Sequence, residues 1–147
     1  MMRVGGMIFL LFVAGLVVAG AGEPPVLRLS PKPIRDAVRA TVEGQLNAIR
    51  AGKFDEAYQF AASGVRRQVA PAVFAAMLRR GYPALVAHRR FEAGVVRDDR
   101  GSAAQVVYVV FDANDAGKAF RYSLVEEAGR WRIAGVVLGV SGPDQSL

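Results

Sequence analysis

No cysteine occurs among the 147 residues. That absence excludes disulfides, thiolate nucleophiles, cysteine-ligated zinc and iron–sulfur clusters, and it removes the residue on which a lipoprotein is acylated. Histidine is nearly absent as well: His88 stands alone, so no histidine-based metal cluster and no second imidazole can form. No G-x-S-x-G elbow accompanies it, and Arg89 and Arg90 beside it disfavour its protonated form. His88 is read as an ordinary residue at the start of a strand. Tryptophan occurs once, at Trp131, and lysine only three times (Lys32, Lys53, Lys118).

What is abundant is arginine, with sixteen residues, and the formal net charge is +6. Arginine's planar fork suits phosphate and carboxylate partners, so contact with an anionic membrane surface is one expectation. A chain equally rich in Ala, Gly and Val also draws arginine from base composition. The pairs Arg66-Arg67, Arg79-Arg80 and Arg89-Arg90, with Arg97 and Arg100, come without a recognition motif or a stacking array of aromatics. Nucleic acid is therefore not an expected partner.

The N-terminus has the grammar of an export signal. Arg3 precedes the apolar run Ile8–Val18, Ala19-Gly20-Ala21 offers a small-x-small cleavage pattern, and Glu23-Pro24-Pro25 follows. A signal peptide over 1–21 is the expectation, with a periplasmic or secreted domain after it. The rival is an uncleaved anchor, because no residue from Val4 to Gly22 is charged, which just reaches the ~17–20 residues of a membrane span. Either way the positive flank precedes the apolar run and places the domain outside the cytoplasm. The remaining chain, about 126 residues from Gly22, can bury roughly two-thirds of its unfolded surface without disulfides.

Residues 22–32, with three of the seven prolines, read as a linker, 33–140 as one domain, and 141–147 as a tail. Ser30-Pro31-Lys32-Pro33 is a helix start, with Ser30 as the cap. Ile34, Val38, Val42, Leu46 and Ile49 then form one apolar stripe, and Gly52 ends it. A second helix spans Phe54–Ala62 and stops at Ser63-Gly64; a third runs from Pro71 to Gly81, where Tyr82-Pro83 turns the chain. Four strands follow, at His88–Arg97, Gln105–Phe111, Ala119–Val125 and Trp131–Val140. The second is apolar on both faces, as a strand covered on each side would be, and Gly135 marks a bulge or a close-approach point in the fourth. Helices first and a meander last predict an α+β domain with three helices on one face of a curved antiparallel sheet of about four strands.

With these elements placed, the chain resembles the bacterial domain of unknown function 4864. The resemblance rests on Gln45–Tyr58, Ala62-Ser63-Gly64-Val65, Phe74 with Met77, Gly81-Tyr82-Pro83 and Trp131–Val136, and covers Thr41 to about Leu138. That family is similar in turn to the nuclear-transport-factor-2-like superfamily, whose α+β cone wraps a curved sheet around a helix. The resemblance implies a fold and carries no catalytic, cofactor-binding or metal residues with it.

The cone suggests where to look. Phe74, Tyr82, Tyr108, Tyr122 and Trp131 are the candidates for its mouth or wall, with core packing as the plain alternative. Enzymes of the superfamily use a buried carboxylate and a tyrosine there, as base and oxyanion donor. In this chain only Glu92 and Asp112 lie in or beside strands, and neither sits in a motif. Asp112-x-Asn114-x-x-Gly117 resembles the opening of a calcium loop, but Ala116 and Ser123 stand where ligands belong, and a hairpin turn explains the same residues. No cofactor is expected. The resulting expectation is a non-catalytic module binding a small apolar ligand or a protein partner on the concave sheet face. A small isomerase- or hydratase-like pocket enzyme and a membrane-anchored basic peripheral protein are the alternatives.

Overall fold

The computed structural model describes residues 26–139, so the expected signal peptide and the 141–147 tail lie outside the described residues. The first long helix, α1 (Lys32–Arg50), buries Val38, Val42, Leu46 and Ile49, the stripe its spacing predicts. Pro31 is its cap residue, with no side-chain cap. Ser30 instead donates its hydroxyl to Asp98, whose buried carboxylate competes for it. At the far end Gly52 (φ 77°) takes the left-handed conformation. Gly52 N–H then donates to Ile49 O (3.0 Å) and Lys53 N–H to Ala48 O (2.9 Å), a Schellman closure.

Among the described residues five helices stand where three were expected. α2 (Phe54–Gln59) ends before the expected Ala62, and Ser63-Gly64, read as its stop, opens a further helical turn, α3 (Ser63–Gln68). The predicted α4 (Pro71–Gly81) is present, and Pro83 then begins α5 (Pro83–Ala87) in the first turn, where proline costs no hydrogen bond. Glu127, 64 residues further along the chain, fixes the start of α3: its carboxylate accepts from Ser63 N–H (3.1 Å) and Ser63 Oγ (2.9 Å).

Six strands among the described residues replace the expected four: β1 (Arg28–Leu29), β2 (Arg90–Ala93), β3 (Arg97–Asp98), β4 (Ala103–Phe111), β5 (Gly117–Glu127) and β6 (Arg130–Leu138). All pairings between them are antiparallel. β1 comes from the stretch read as linker and pairs with β3. The single strand expected over His88–Arg97 is broken, because Ala93 faces Tyr108 while Arg97 faces Gln105. Four steps on one side match three on the other, so one residue is extra and the strand bulges. Gly94 sits in that bulge with its N–H on Val107 O (2.7 Å), and a Cβ there would lie 2.8 Å from the same oxygen. A second bulge lies between Ser123 and Leu124 on β5, where the extra residue of β6 is Ala134 rather than Gly135.

The helices cover one face of the sheet. Val106, Tyr108 and Val110 of β4 and Phe120, Tyr122 and Leu124 of β5 are buried against them. Val107, Val109 and Phe111 are only half-buried, so β4 is covered on one face and not on both. Ile133 is paired with Leu124 and Trp131 with Glu126, which puts Trp131 on the helix side, 8% exposed. Thr41 Oγ1 of α1 donates to Trp131 O (3.0 Å) and ties the long helix to the last hairpin.

Candidate functional site

Between α4 and β6 lies a half-enclosed crevice of about 40 Å³. Phe74, Met77 and Leu78 of α4 form one wall, Tyr82 and Leu85 the end at α5, and Ile133 to Val136 of β6 the other wall. Gln45 of α1 lies at its base, with Ala61 and Val65 on the α3 side. Each wall follows from a local rule. Helical spacing brings Phe74, Met77 and Leu78 to one face. The extra residue at Ala134 lets Ala134, Gly135 and Val136 all reach the crevice, where a regular strand would turn alternate residues away.

Its two polar side chains are already engaged. Gln45 Nε2 donates to Ala57 O (3.1 Å), and Tyr82 OH donates to Val136 O (3.2 Å). Burial pushes the Tyr82 phenol up to about 12, so it remains a protonated donor at neutral pH. Beside the crevice, Tyr58 OH lies 2.7 Å from Val69 O, and its ring packs edge-on against Phe74 with centroids 5.3 Å apart.

Of the five aromatic candidates, Phe74 and Tyr82 line the crevice; Tyr108, Tyr122 and Trp131 do not. Tyr108 and Tyr122 make an edge-to-face pair 5.9 Å apart inside the core. Tyr108 OH donates to Glu43 (2.8 Å), and burial, reinforced by that carboxylate, drives its pKa upward. Tyr122 OH is fully buried with no partner among the described residues, and burial raises its pKa too. Gln45, Val65, Met77, Leu78 and Ala134 to Val136 belong to the crevice but were not candidates. Their composition is that of any core, and only Gly135 carried a local signal.

The groups considered for acid–base work lie elsewhere. His88 is buried; its Nδ1–H donates to Leu85 O (2.6 Å), which leaves Nε2 unprotonated and without a partner among the described residues. Burial first, and the Arg50 charge after it, hold its pKa below the ordinary value despite that hydrogen bond. Glu92 is exposed and paired with Arg90 (3.0 Å). Asp112 Oδ1 accepts from Asn114 N–H (2.8 Å) and Ala116 N–H (3.0 Å), the hydrogen bonding of a hairpin turn. Among the described residues no group of three His, Asp or Glu side chains is placed to hold a metal ion. The arginine pairs are scattered: Arg79 stacks on Phe54 (4.6 Å), and Arg90 on Phe111 (3.8 Å) while also binding Asp115 (3.0 Å).

A long helix packed on one face of an antiparallel sheet, with a crevice between α4 and β6, defines an α+β domain with the nuclear-transport-factor-2-like fold. A solved structure bears this out: an NTF-2-like protein of unknown function from Shewanella oneidensis MR-1 aligns with a TM-score of 0.54 at 18% identity, over 70% of this chain and 96% of that one. The chain belongs to the family described as Domain of unknown function (DUF4864), whose profile matches residues 32–145. No curated protein matches it.

Proposed function

We propose that the domain is a binding module that takes a small apolar group, such as a short alkyl end or one aliphatic side chain of a partner, into the crevice between α4 and β6. The observation that supports this is the lining. It contains no carboxylate, imidazole, amine or guanidinium, and its two polar side chains already donate to Ala57 O and Val136 O. A lining of that kind rewards burial of apolar surface and offers no base to take a proton. About 40 Å³ is well below the roughly 300–1,000 Å³ of a cofactor-sized pocket.

Hexanol and a leucine-rich peptide serve as probes in an amide-detected NMR titration. Saturable shifts should concentrate at Met77, Leu78 and Ala134 to Val136, and Val65→Trp at the half-buried rim should abolish them. Shifts spread evenly over the surface, or unchanged by Val65→Trp, would overturn the proposal.

A further inference from the structure

Away from the crevice, exposed apolar side chains gather at the β1–β3 edge. Val26 (88% exposed), Leu29 (65%) and Val95 (57%) are three of the five large hydrophobic residues left open to solvent among the described residues. Leu29 is the direct partner of Arg97, so the two share the outer face of the sheet. Val95 shares it as well, because exposure alternates along Val95, Val96, Arg97 and Asp98. Ser30 N–H donates to Val96 O (3.0 Å) and holds the two segments side by side. Val26 is three residues ahead of Leu29.

The free charges on β3 and in the turn after it are of one sign. Arg97 and Arg100 are exposed and make no side-chain hydrogen bond or ion pair among the described residues. The acids of β3 and of the turn after it are spoken for. Asp98 is fully buried and accepts from Ser30, Arg28 and Arg100 N–H. Asp99 turns back onto Ser102 and Ala103 N–H (3.0 and 2.9 Å). Asp36 is bound by Lys32. Apolar side chains beside unpaired arginines form a surface suited to a lipid interface, where the apolar groups enter the headgroup–acyl boundary and the cations meet phosphate.

Chain length selects the same occupant. Val4 to Gly22 carries no charge, and only Glu23, Pro24 and Pro25 separate it from Val26. Four residues of extended chain reach at most about 14 Å. Any bilayer that takes up the apolar run therefore lies within contact distance of this edge. We infer that the β1–β3 edge docks on an anionic bilayer, with Leu29 and Val95 inserted and Arg97 and Arg100 on lipid phosphates. This inference is independent of the crevice.

The absence of cysteine makes the test clean, since Leu29→Cys, Val95→Cys and a control, Val73→Cys on α4, each give one labelling site in the full chain. An environment-sensitive nitrobenzoxadiazole label is read on vesicles of phosphatidylcholine with phosphatidylglycerol, and on phosphatidylcholine alone. Labels at 29 and 95 should brighten several-fold on anionic vesicles and be quenched by shallow nitroxide lipids, while the label at 73 stays open to aqueous iodide. Arg97→Glu with Arg100→Glu should return the first two toward the neutral-vesicle signal, with circular dichroism unchanged. Equal responses at 29 and 73, equal responses on both vesicles, or labels at 29 and 95 that remain open to iodide on bound protein would each overturn the inference. So would a response to soluble polyglutamate matching that to vesicles, which would point to an acidic protein instead.

Discussion

Ser30 and Asp98 are 68 residues apart and hydrogen-bonded in the interior, the hydroxyl donating to a carboxylate with no exposed surface. Arg28 Nε (3.2 Å) and Arg100 N–H (2.8 Å) complete the cage. Replacing Asp98 by asparagine turns one acceptor into a donor facing other donors. Urea unfolding should show a loss of about 1–3 kcal/mol for Asp98→Asn.

Acid titration gives the same carboxylate a second readout. Burial alone would raise its pKa, but the hydrogen bonds from Ser30, Arg100 N–H and Arg28 outweigh it and hold the group below the ordinary 3.8. A lowered folded value means the stabilisation is complete above the unfolded pKa and is lost as pH falls through the folded one. Wild-type stability should therefore drop on acidification below about pH 4 more steeply than that of Asp98→Asn.

His88 acts in a higher window with the same sense. Its folded pKa is below the ordinary 6.5, so the unfolded chain binds the proton first. Stability from this residue is complete above 6.5 and declines as pH falls below that value. Urea midpoints at pH 8 and pH 5.5 should differ less for His88→Phe than for the wild type, after the two are matched at pH 8.

Gly44 faces Phe60 across the α1–α2 contact, and a Cβ there would lie 2.7 Å from Phe60 Cζ. Alanine gains up to about 1 kcal/mol of helix propensity over glycine. Overpacking typically costs about 1–3 kcal/mol, so Gly44→Ala should lower the thermal midpoint. The double variant Gly44→Ala with Phe60→Leu should recover much of that loss.

Glu127 caps α3 from the other end of the sequence. Its carboxylate takes an N–H that the helix leaves unpaired, and its charge sits at the positive end. Glu127→Gln should cost about 0.5–2 kcal/mol, with faster amide exchange at Ser63 and Gly64.

The parts of the fold set by local rules were legible. The Val38, Val42, Leu46 and Ile49 stripe, the Gly52 stop and the β5–β6 hairpin depend on spacing within one segment or on glycine's backbone freedom. The bulges at Gly94 and Ala134 were not, because register is settled by a partner strand whose place no local pattern gives. Ser30 looked like a cap until a carboxylate 68 residues away claimed it. The crevice was half legible for a similar reason. Phe74 and Tyr82 are conspicuous, whereas Gln45, Val65 and Ala134 meet only because α1, α3 and β6 converge. Tyr108, Tyr122 and Trp131 have the same chemistry as a wall residue, and their position along the strand, not their type, puts them in the core.

The joint between Ala61 and Ile133 has a consequence for how the molecule comes apart. Ile133 N–H donates to Phe60 O and Ala62 N–H to Ile133 O, both at 2.8 Å, and Arg132 Nη1 reaches Gln59 O (3.0 Å). Four residues from the helical layer thus occupy the margin of the terminal strand, where a foreign strand could otherwise attach. The same stitches prevent the C-terminal hairpin from fraying alone, since opening it strips partners from a segment some seventy residues earlier in the chain. Helices and sheet are thereby bound into one cooperative unit, and amides at Phe60–Ala62 and Arg132–Ile133 should open together.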